Sequence, residues 1–210
     1  MSEQTYTAQE NTDKETIYHD QRSVALRTSQ SIYFVQEHDK ASMLELLLNN
    51  YKKMQVVIVV KSKKKADALS VLLNSKKFNA RAVHGNHRQE QQQEAAKKFN
   101  DGTLNIVITT DMILKTLNLE NIKLVLSFNL PDVTQEYYNR LAFMKELGVS
   151  MALVSPEDGY LLDEIEYNMK KEIEEKTVEG FVATATPTHS TKKDRSKKPR
   201  HSRNKVKKDT

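Results

Sequence analysis

The stretch Val56-Val57-Ile58-Val59-Val60 is the first of five short apolar runs that recur between residues 56 and 156. The segments between the runs are charged and carry apolar residues at helical spacing. Apolar runs of about five residues, separated by helical segments of about 10–15, predict parallel strands that crossover helices bury on both faces. The sequence therefore predicts an α/β fold whose chemistry lies at the carboxyl ends of the strands. The other runs are Ala80–Val83 and residues 105–109, 124–128 and 151–154.

Length and composition limit the classes of protein that this chain fits. The 210 residues give room for one α/β domain of about 150 residues plus tails, and a hydrophobic content of 38% supplies one core. The absence of cysteine excludes disulfides, thiolate metal sites and a thiol nucleophile. No apolar stretch approaches the roughly 20 residues of a membrane helix, and the first residues do not form a signal peptide. We therefore expect a soluble, cytoplasmic protein without a membrane partner.

The net charge of +5 is unevenly distributed. Residues 189–210 hold seven Lys and three Arg against two Asp, a net +8, so the preceding 188 residues carry −3. This asymmetry predicts an arm that contacts a polyanion through phosphates without reading bases, since the arm has no aromatic residue. The alternative is a tail that only increases solubility. The basic residues are Lys192, Lys193, Arg195, Lys197, Lys198, Arg200, Arg203, Lys205, Lys207 and Lys208.

The pattern divides the chain into three parts. Residues 1–29 are polar and without periodicity, which predicts a disordered lead-in, and residues 181–210 are predicted to form a disordered basic tail. The domain between them, residues 30–180, should begin with an edge strand over residues 31–35. Asp39 and Ser62 are predicted to cap the helices that follow them, and Asp132 with Gln135 resembles a capping box. Between them, residues 89–100 have the apolar spacing of a helix.

A cluster of lysines stands at the start of the helix after residue 60. Lys61, Lys63, Lys64 and Lys65 oppose the helix macrodipole there, which favours a nearby phosphate. The alternative is an ordinary charged surface in contact with water.

His84 and His87 lie three residues apart and raise the question of a metal pair. The sequence offers no third ligand near them, so we predict loop histidines and no metal.

The order and spacing of several motifs resemble the second RecA-like domain of DEAD-box RNA helicases, over residues 31–168. The resemblance implies a three-layer RecA-like parallel sheet with helices on both faces. The matching residues, in chain order, are Val57 to Ser62 with Lys64-Lys65-Ala66-Asp67; His84-Gly85, Gln89 to Gln92 and Phe99 to Gly102; Thr110-Asp111 with Leu117-Asn118-Leu119; Asn129-Leu130-Pro131 with Tyr137 and Arg140; and Val154 to Asp158.

This chain departs from the family at positions that bear on catalysis. The fifth motif normally continues Ala-Arg-Gly-x-Asp, whereas here the arginine is Lys115, the glycine Thr116 and the aspartate Asn118. The sixth motif, normally His-Arg-x-Gly-Arg-x-x-Arg, is about three residues shorter and keeps only Arg140. Phe143 falls where a further arginine is expected, Lys145 is another degenerate position of this motif, and Gln92 replaces the arginine of the Gln-rich helix.

These departures imply that the chain alone does not hydrolyse ATP. Arginine fingers are worth roughly 10³–10⁵ in the rate of phosphoryl transfer, and Phe143 cannot donate to a phosphate. Lys145 offers one charge without the bidentate fork of arginine. The 210 residues also contain neither a Gly-x-x-x-x-Gly-Lys-Ser/Thr loop nor an Asp-Glu-Ala-Asp box. We predict no catalytic residue and no cofactor; ATP contact would need a first helicase domain supplied in trans.

The same resemblance implies which residues contact RNA. Gly85, Thr109, Thr110 and Asp111 stand at positions that make or support backbone contact in the family, with Lys61 and Arg140 as supporting cations. For Thr110-Asp111 the alternative is an ordinary helix cap.

Three functions remain open. The leading one is a degenerate helicase domain that binds structured RNA with low sequence specificity. The second is an interaction module that docks on another helicase domain or on a ribonucleoprotein component. The third is one half of a split RNA helicase.

Overall fold

The computed structural model describes residues 24–25, 28–52, 54–144 and 148–185. Its centre is a seven-stranded sheet in which every pairing is parallel. The strands are β1 Ser29–Phe34, β2 Val56–Val59, β3 Ala80–Val83, β4 Ile106–Thr109, β5 Leu124–Ser127, β6 Val149–Val154 and β7 Glu174–Glu175. Their order across the sheet is β3-β4-β2-β5-β6-β1-β7. The helices are α1 Lys40–Asn49, α2 Lys63–Ser75, α3 Gln89–Asn100, α4 Asp111–Leu114, α5 Thr134–Ala142 and α6 Gly159–Met169, with 3₁₀ turns at Glu37–Asp39 and Pro156–Asp158.

Alternation along the strands builds the three layers. Val57 and Val59 of β2 belong to one apolar cluster, which includes buried residues of α3, α5 and α6. Val56 and Ile58 belong to a second cluster on the other face, together with buried residues of α1 and α2. Because β2 is buried on both faces, its sequence reads as a continuous apolar run. The predicted three-layer fold is confirmed.

Residues on either side of the predicted domain, residues 30–180, also contact its core and its surface. Val24 and Ala25 are buried in the first cluster, so the lead-in contributes to the core before residue 29. At the other end, Phe181 packs against the second cluster and Thr184 donates two hydrogen bonds to Asp39. The remainder of the predicted lead-in and tail lies outside the described residues.

Three local predictions were wrong because distant residues compete for the same groups. Strand β1 is not at the edge, since the two residues of β7 pair along its outer side. Asp39 makes no side-chain cap to α1, because its carboxylate accepts from Thr184. Asp132 pairs with Lys61, and α5 begins at Thr134 without a capping box.

Two other local predictions are confirmed. The Ser62 hydroxyl accepts from the amide of Lys65 at the start of α2. Helix α3 spans Gln89–Asn100, as its spacing predicted. Within the described part of the chain, no helix is both long and apolar enough to span a bilayer.

Candidate nucleic-acid interface

A groove of about 500 Å³ opens at the edge of the sheet where the strands have their carboxyl ends. All strands are parallel, so the segments that follow β2, β3, β4 and β5 meet at this edge. Two lysines stand on one side, and apolar side chains form much of the wall. We refer to it as the carboxyl-edge groove; it is lined by Val60, Lys61, Lys63, Gly85, Thr110, Asp111, Met112, Ile113, Pro131 and Asp132.

Arg140 is a buried residue that holds Asp111, one of the residues that line this groove, in place. Its side chain is 1% exposed, and its Nε and one terminal nitrogen each donate to a carboxylate oxygen of Asp111 at 2.7 Å. The other terminal nitrogen donates to the Ser127 hydroxyl and the Asn129 carbonyl, both at 2.8 Å. A bidentate guanidinium–carboxylate pair fixes both distance and orientation. Arg140 therefore sets where Asp111 and the start of α4 lie.

Burial separates the predicted contact residues into two groups. Thr109 is fully buried and Arg140 nearly so, and neither side chain reaches the surface of the groove. Both side chains therefore hold other groups in place, and the part of these two residues in RNA contact stays a prediction. Gly85 is exposed and Thr110 and Asp111 are half-buried, and all three line the groove. Thr110 occupies the N-cap position of α4 without a side-chain capping bond, so its hydroxyl is not used as a cap.

The lysines of the groove have surface partners. Lys61 contacts Asp132 at 2.7 Å and Asp158 at 3.9 Å, and Lys63 donates to the Asn86 side chain at 2.8 Å. Exposed ion pairs contribute only about 0–1 kcal/mol. A phosphate can replace such partners at little cost, because both lysines remain exposed.

The described residues that depart from the helicase pattern have partners within the domain. Lys115 pairs with Glu136 at 2.6 Å, and the Asn118 carbonyl accepts from Asn100. Gln92 donates to the carbonyl of His87 at 2.9 Å. Phe143 packs against the first apolar cluster, and Met144 beside it is 2% exposed. Lys145 and the basic residues from Lys192 to Lys208 lie outside the described residues.

The histidines have a partner that their spacing did not reveal. His84 Nε2 lies 2.8 Å from a carboxylate oxygen of Asp67 on α2, seventeen residues earlier. The ring of His87 stacks on that of His84 with centroids 4.1 Å apart. Burial, followed by the charge of His84, lowers the pKa of His87, while Asp67 opposes this shift. His87 is therefore held towards its neutral form.

Several supporting residues were missed from the sequence. Asn86 holds Lys63, while Ser127 and the Asn129 carbonyl complete the hydrogen bonds of Arg140. Lys63 was predicted only as a member of the charged cluster. The position of this cluster directly after a strand was the signal that could have placed Lys63 in the groove. Nothing in the local pattern marked Asp67 as a partner of His84.

Comparison with known proteins agrees with this architecture. Residues 27–142, more than half of the chain, match the helicase conserved C-terminal domain model. The chain therefore belongs to the helicase conserved C-terminal domain family. The fold is that of the C-terminal RecA-like domain of DEAD-box proteins, as the resemblance implied.

Individual relatives show the extent of the likeness. The pre-mRNA-splicing ATP-dependent RNA helicase PRP28 of Pyricularia oryzae is 30% identical over 146 residues, which cover 68% of this chain and 22% of that protein. The E. coli DEAD-box protein SrmB, solved bound to regulator of ribonuclease activity A, superposes with a TM-score of 0.69 at 19% identity, over 76% of this chain and 98% of that chain. Saccharomyces cerevisiae Dbp5, solved bound to RNA and ADP BeF3, gives 0.67 at 19% identity over 72% and 42%. The chain spans 22% to 39% of the length of the curated relatives it matches.

Proposed function

We propose that this chain is an RNA-binding helicase C-terminal domain that does not hydrolyse ATP by itself. The observation that carries the proposal is the carboxyl-edge groove, where exposed Lys61 and Lys63 stand beside the half-buried Thr110 and Asp111. Lysines, a hydroxyl and exposed backbone are the groups that proteins use to hold a phosphate backbone. Such contacts carry no sequence information, so we expect low sequence specificity.

The basic segment adds a second, electrostatic attachment. Residues 189–210 carry a net +8, whereas the rest of the chain carries −3. Each phosphate that a lysine or arginine neutralises releases counterions, so binding through this segment weakens steeply with salt. We infer that the segment supplies most of the affinity and that the groove determines which part of the RNA lies against the domain.

The surroundings of the sixth motif support the absence of ATPase activity. An arginine finger must reach the transferring phosphoryl group. Phe143 instead packs into the first apolar cluster beside Met144, which is 2% exposed. The segment therefore presents apolar groups to the core at a position where the helicase pattern has an arginine, and we propose neither a catalytic residue nor a cofactor for this chain.

A second function, docking on a helicase or ribonucleoprotein component, is favoured by one surface feature. Tyr160 and Tyr167 on α6 are 66% and 83% exposed and stand seven residues apart, on one face of the helix. Exposed aromatic side chains are enriched at protein interfaces. Crosslinks confined to protein, with none to RNA near Thr110, would favour this function over RNA binding.

Fluorescence anisotropy with a labelled structured RNA tests the main proposal. Deleting residues 192–210 should lower affinity at least about tenfold at low salt, through loss of counterion release. In the intact chain, Lys61→Glu with Lys63→Glu should weaken binding severalfold. The matched control is Lys76→Glu with Lys77→Glu, the same charge change at the end of α2. Wild-type affinity in both the deletion and the groove variant would refute RNA binding by these surfaces, and RNA-dependent ATP hydrolysis by the purified chain would refute the lack of activity.

A further inference from the structure

Three side chains with metal-binding groups meet beside the carboxyl-edge groove. Asp67 comes from α2, His84 from the end of β3, and His87 from the loop that follows. One ligand atom from each lies within 4.8 Å of the others. The crossover from β2 through α2 to β3 brings them together, although Asp67 precedes His84 by seventeen residues.

The neighbouring backbone holds this cluster in place. His84 is 3% exposed, and its Nδ1 accepts from the amide of Asn86 at 3.4 Å. The amide of His84 donates to Nδ1 of His87 at 3.2 Å. Gln92 fixes the same loop by donating to the His87 carbonyl at 2.9 Å. The rings are thus placed by hydrogen bonds as well as by packing.

We propose that Asp67, His84 and His87 bind one divalent transition-metal ion, with Zn²⁺ the best match. Two imidazoles and one carboxylate form a donor set that proteins use for zinc and other first-row metals when a further position stays open to water. Asp67 is exposed, so that further position faces solvent. The residues that carry the helicase resemblance include His84 and Asp67 but not His87.

Binding requires two local adjustments. An ion about 2.0–2.2 Å from each ligand, in tetrahedral geometry, holds the ligand atoms about 3.4 Å apart. The 2.8 Å contact between Asp67 and His84 must therefore lengthen by about 0.6 Å. The ring of His87 must also rotate away from the amide of His84 and towards the ion. The ion takes the place of the proton between His84 Nε2 and Asp67. That proton moves through solvent to Nδ1 of His84, which then no longer accepts the 3.4 Å hydrogen bond from the amide of Asn86.

The bound ion would join α2 to the loop between β3 and α3. Gly85 in this loop lines the groove, and Asn86 holds Lys63. An ion that binds only the folded state raises the melting temperature as its concentration increases. This effect needs no RNA, so the metal site stands or falls independently of the proposed function.

The test is calorimetric titration of the full chain with Zn²⁺ in phosphate-free buffer, with Co²⁺ absorption as a spectroscopic readout. The parent protein carries His19→Gln, His189→Gln and His201→Gln, so that imidazoles outside the described residues do not contribute. We expect one saturable site and a melting temperature that rises with Zn²⁺. His87→Asn and Asp67→Asn should each weaken binding by more than about tenfold, since even loss of an outer-shell partner costs 10–100-fold.

His38→Gln is the matched control, because His38 also contacts an aspartate, Asp39 at 3.5 Å, but belongs to no three-ligand cluster among the described residues. It should leave Zn²⁺ affinity unchanged. The absence of a saturable site in the parent, or parental affinity in His87→Asn, would overturn the proposal. If His87→Asn lowers the melting temperature without metal, Asp67→Asn is the decisive variant, because the Asp67 side chain is exposed. Parental Zn²⁺ affinity in Asp67→Asn would also overturn the proposal.

Discussion

Replacing Arg140 with methionine tests whether one buried ion pair organises the groove. Methionine approximates the length of the arginine stem but leaves Asp111, the Ser127 hydroxyl and the Asn129 carbonyl without their donor. Breaking a buried pair by removing one partner costs about 3–5 kcal/mol. A domain of typical stability, about 5–15 kcal/mol, stays mostly folded after such a loss. For a chain of this size, the melting temperature should fall by roughly 6–20 °C.

Urea unfolding followed by far-ultraviolet circular dichroism measures this free energy. The matched control is Lys115→Met, which breaks the pair with Glu136 on the same helix, α5, but at a half-exposed site. That change should cost only about 0–1 kcal/mol. In a double-mutant cycle with Asp111→Ala, the two losses should fall short of additivity by about 0.5–3 kcal/mol. A cost for Arg140→Met below about 1 kcal/mol, equal to that of the control, would refute the positioning role.

Further predictions concern the pH dependence of stability, a helix cap and the salt dependence of RNA binding. The hydrogen bonds from the Thr184 hydroxyl and amide lower the pKa of Asp39, against burial, so Asp39 stabilises the fold above its unfolded pKa and loses this effect as pH falls through the folded pKa. Thr184→Val should therefore move the midpoint of acid unfolding to higher pH, and an unchanged midpoint would contradict the assigned contact. Ser62→Ala should cost about 1 kcal/mol in urea unfolding through loss of the α2 cap, whereas a neutral result would mean that the cap is redundant. The slope of log affinity for RNA against log salt should become markedly shallower without residues 192–210, and an identical slope would remove that segment from the interface.

Local sequence patterns predicted those elements whose determinants are local. Helix α3 spans the predicted residues because Ala95, Ala96 and Phe99 repeat at helical spacing and all three are buried. The cap at Ser62 likewise depends on an amide only three residues away. Strands β2, β4 and β5 were found because every residue in them is buried, so each reads as an apolar run, whereas β7 is two exposed glutamates and was not found.

Predictions failed where a polar group has a distant partner. Asp39 looked like a helix cap, but Thr184, 145 residues later, donates to its carboxylate. Asp132 looked like part of a capping box, but Lys61 reaches it across 71 residues. Each partner arrives through a crossover or a returning strand, which single-sequence periodicity does not encode. For the same reason, the sequence pattern did not reveal that Asp67 contacts His84 or that Arg140 is buried.

Phe143→Arg tests why the sixth motif, as we propose, does not support ATP hydrolysis. If a missing charge were the only defect, restoring an arginine should allow ATP hydrolysis once RNA and a first helicase domain are supplied. The structure predicts no gain, because Phe143 packs against the first apolar cluster and Met144 beside it is buried, so a guanidinium at this position faces the core. The variant should also lose about 1–3 kcal/mol of stability, through lost packing and a partly buried charge. Ala142→Arg, one residue earlier at an exposed position, is the control for added charge and should be near neutral. Nucleotide hydrolysis gained by Phe143→Arg, and not by Ala142→Arg, would show that the backbone is already arranged for catalysis and that the apolar packing is incidental.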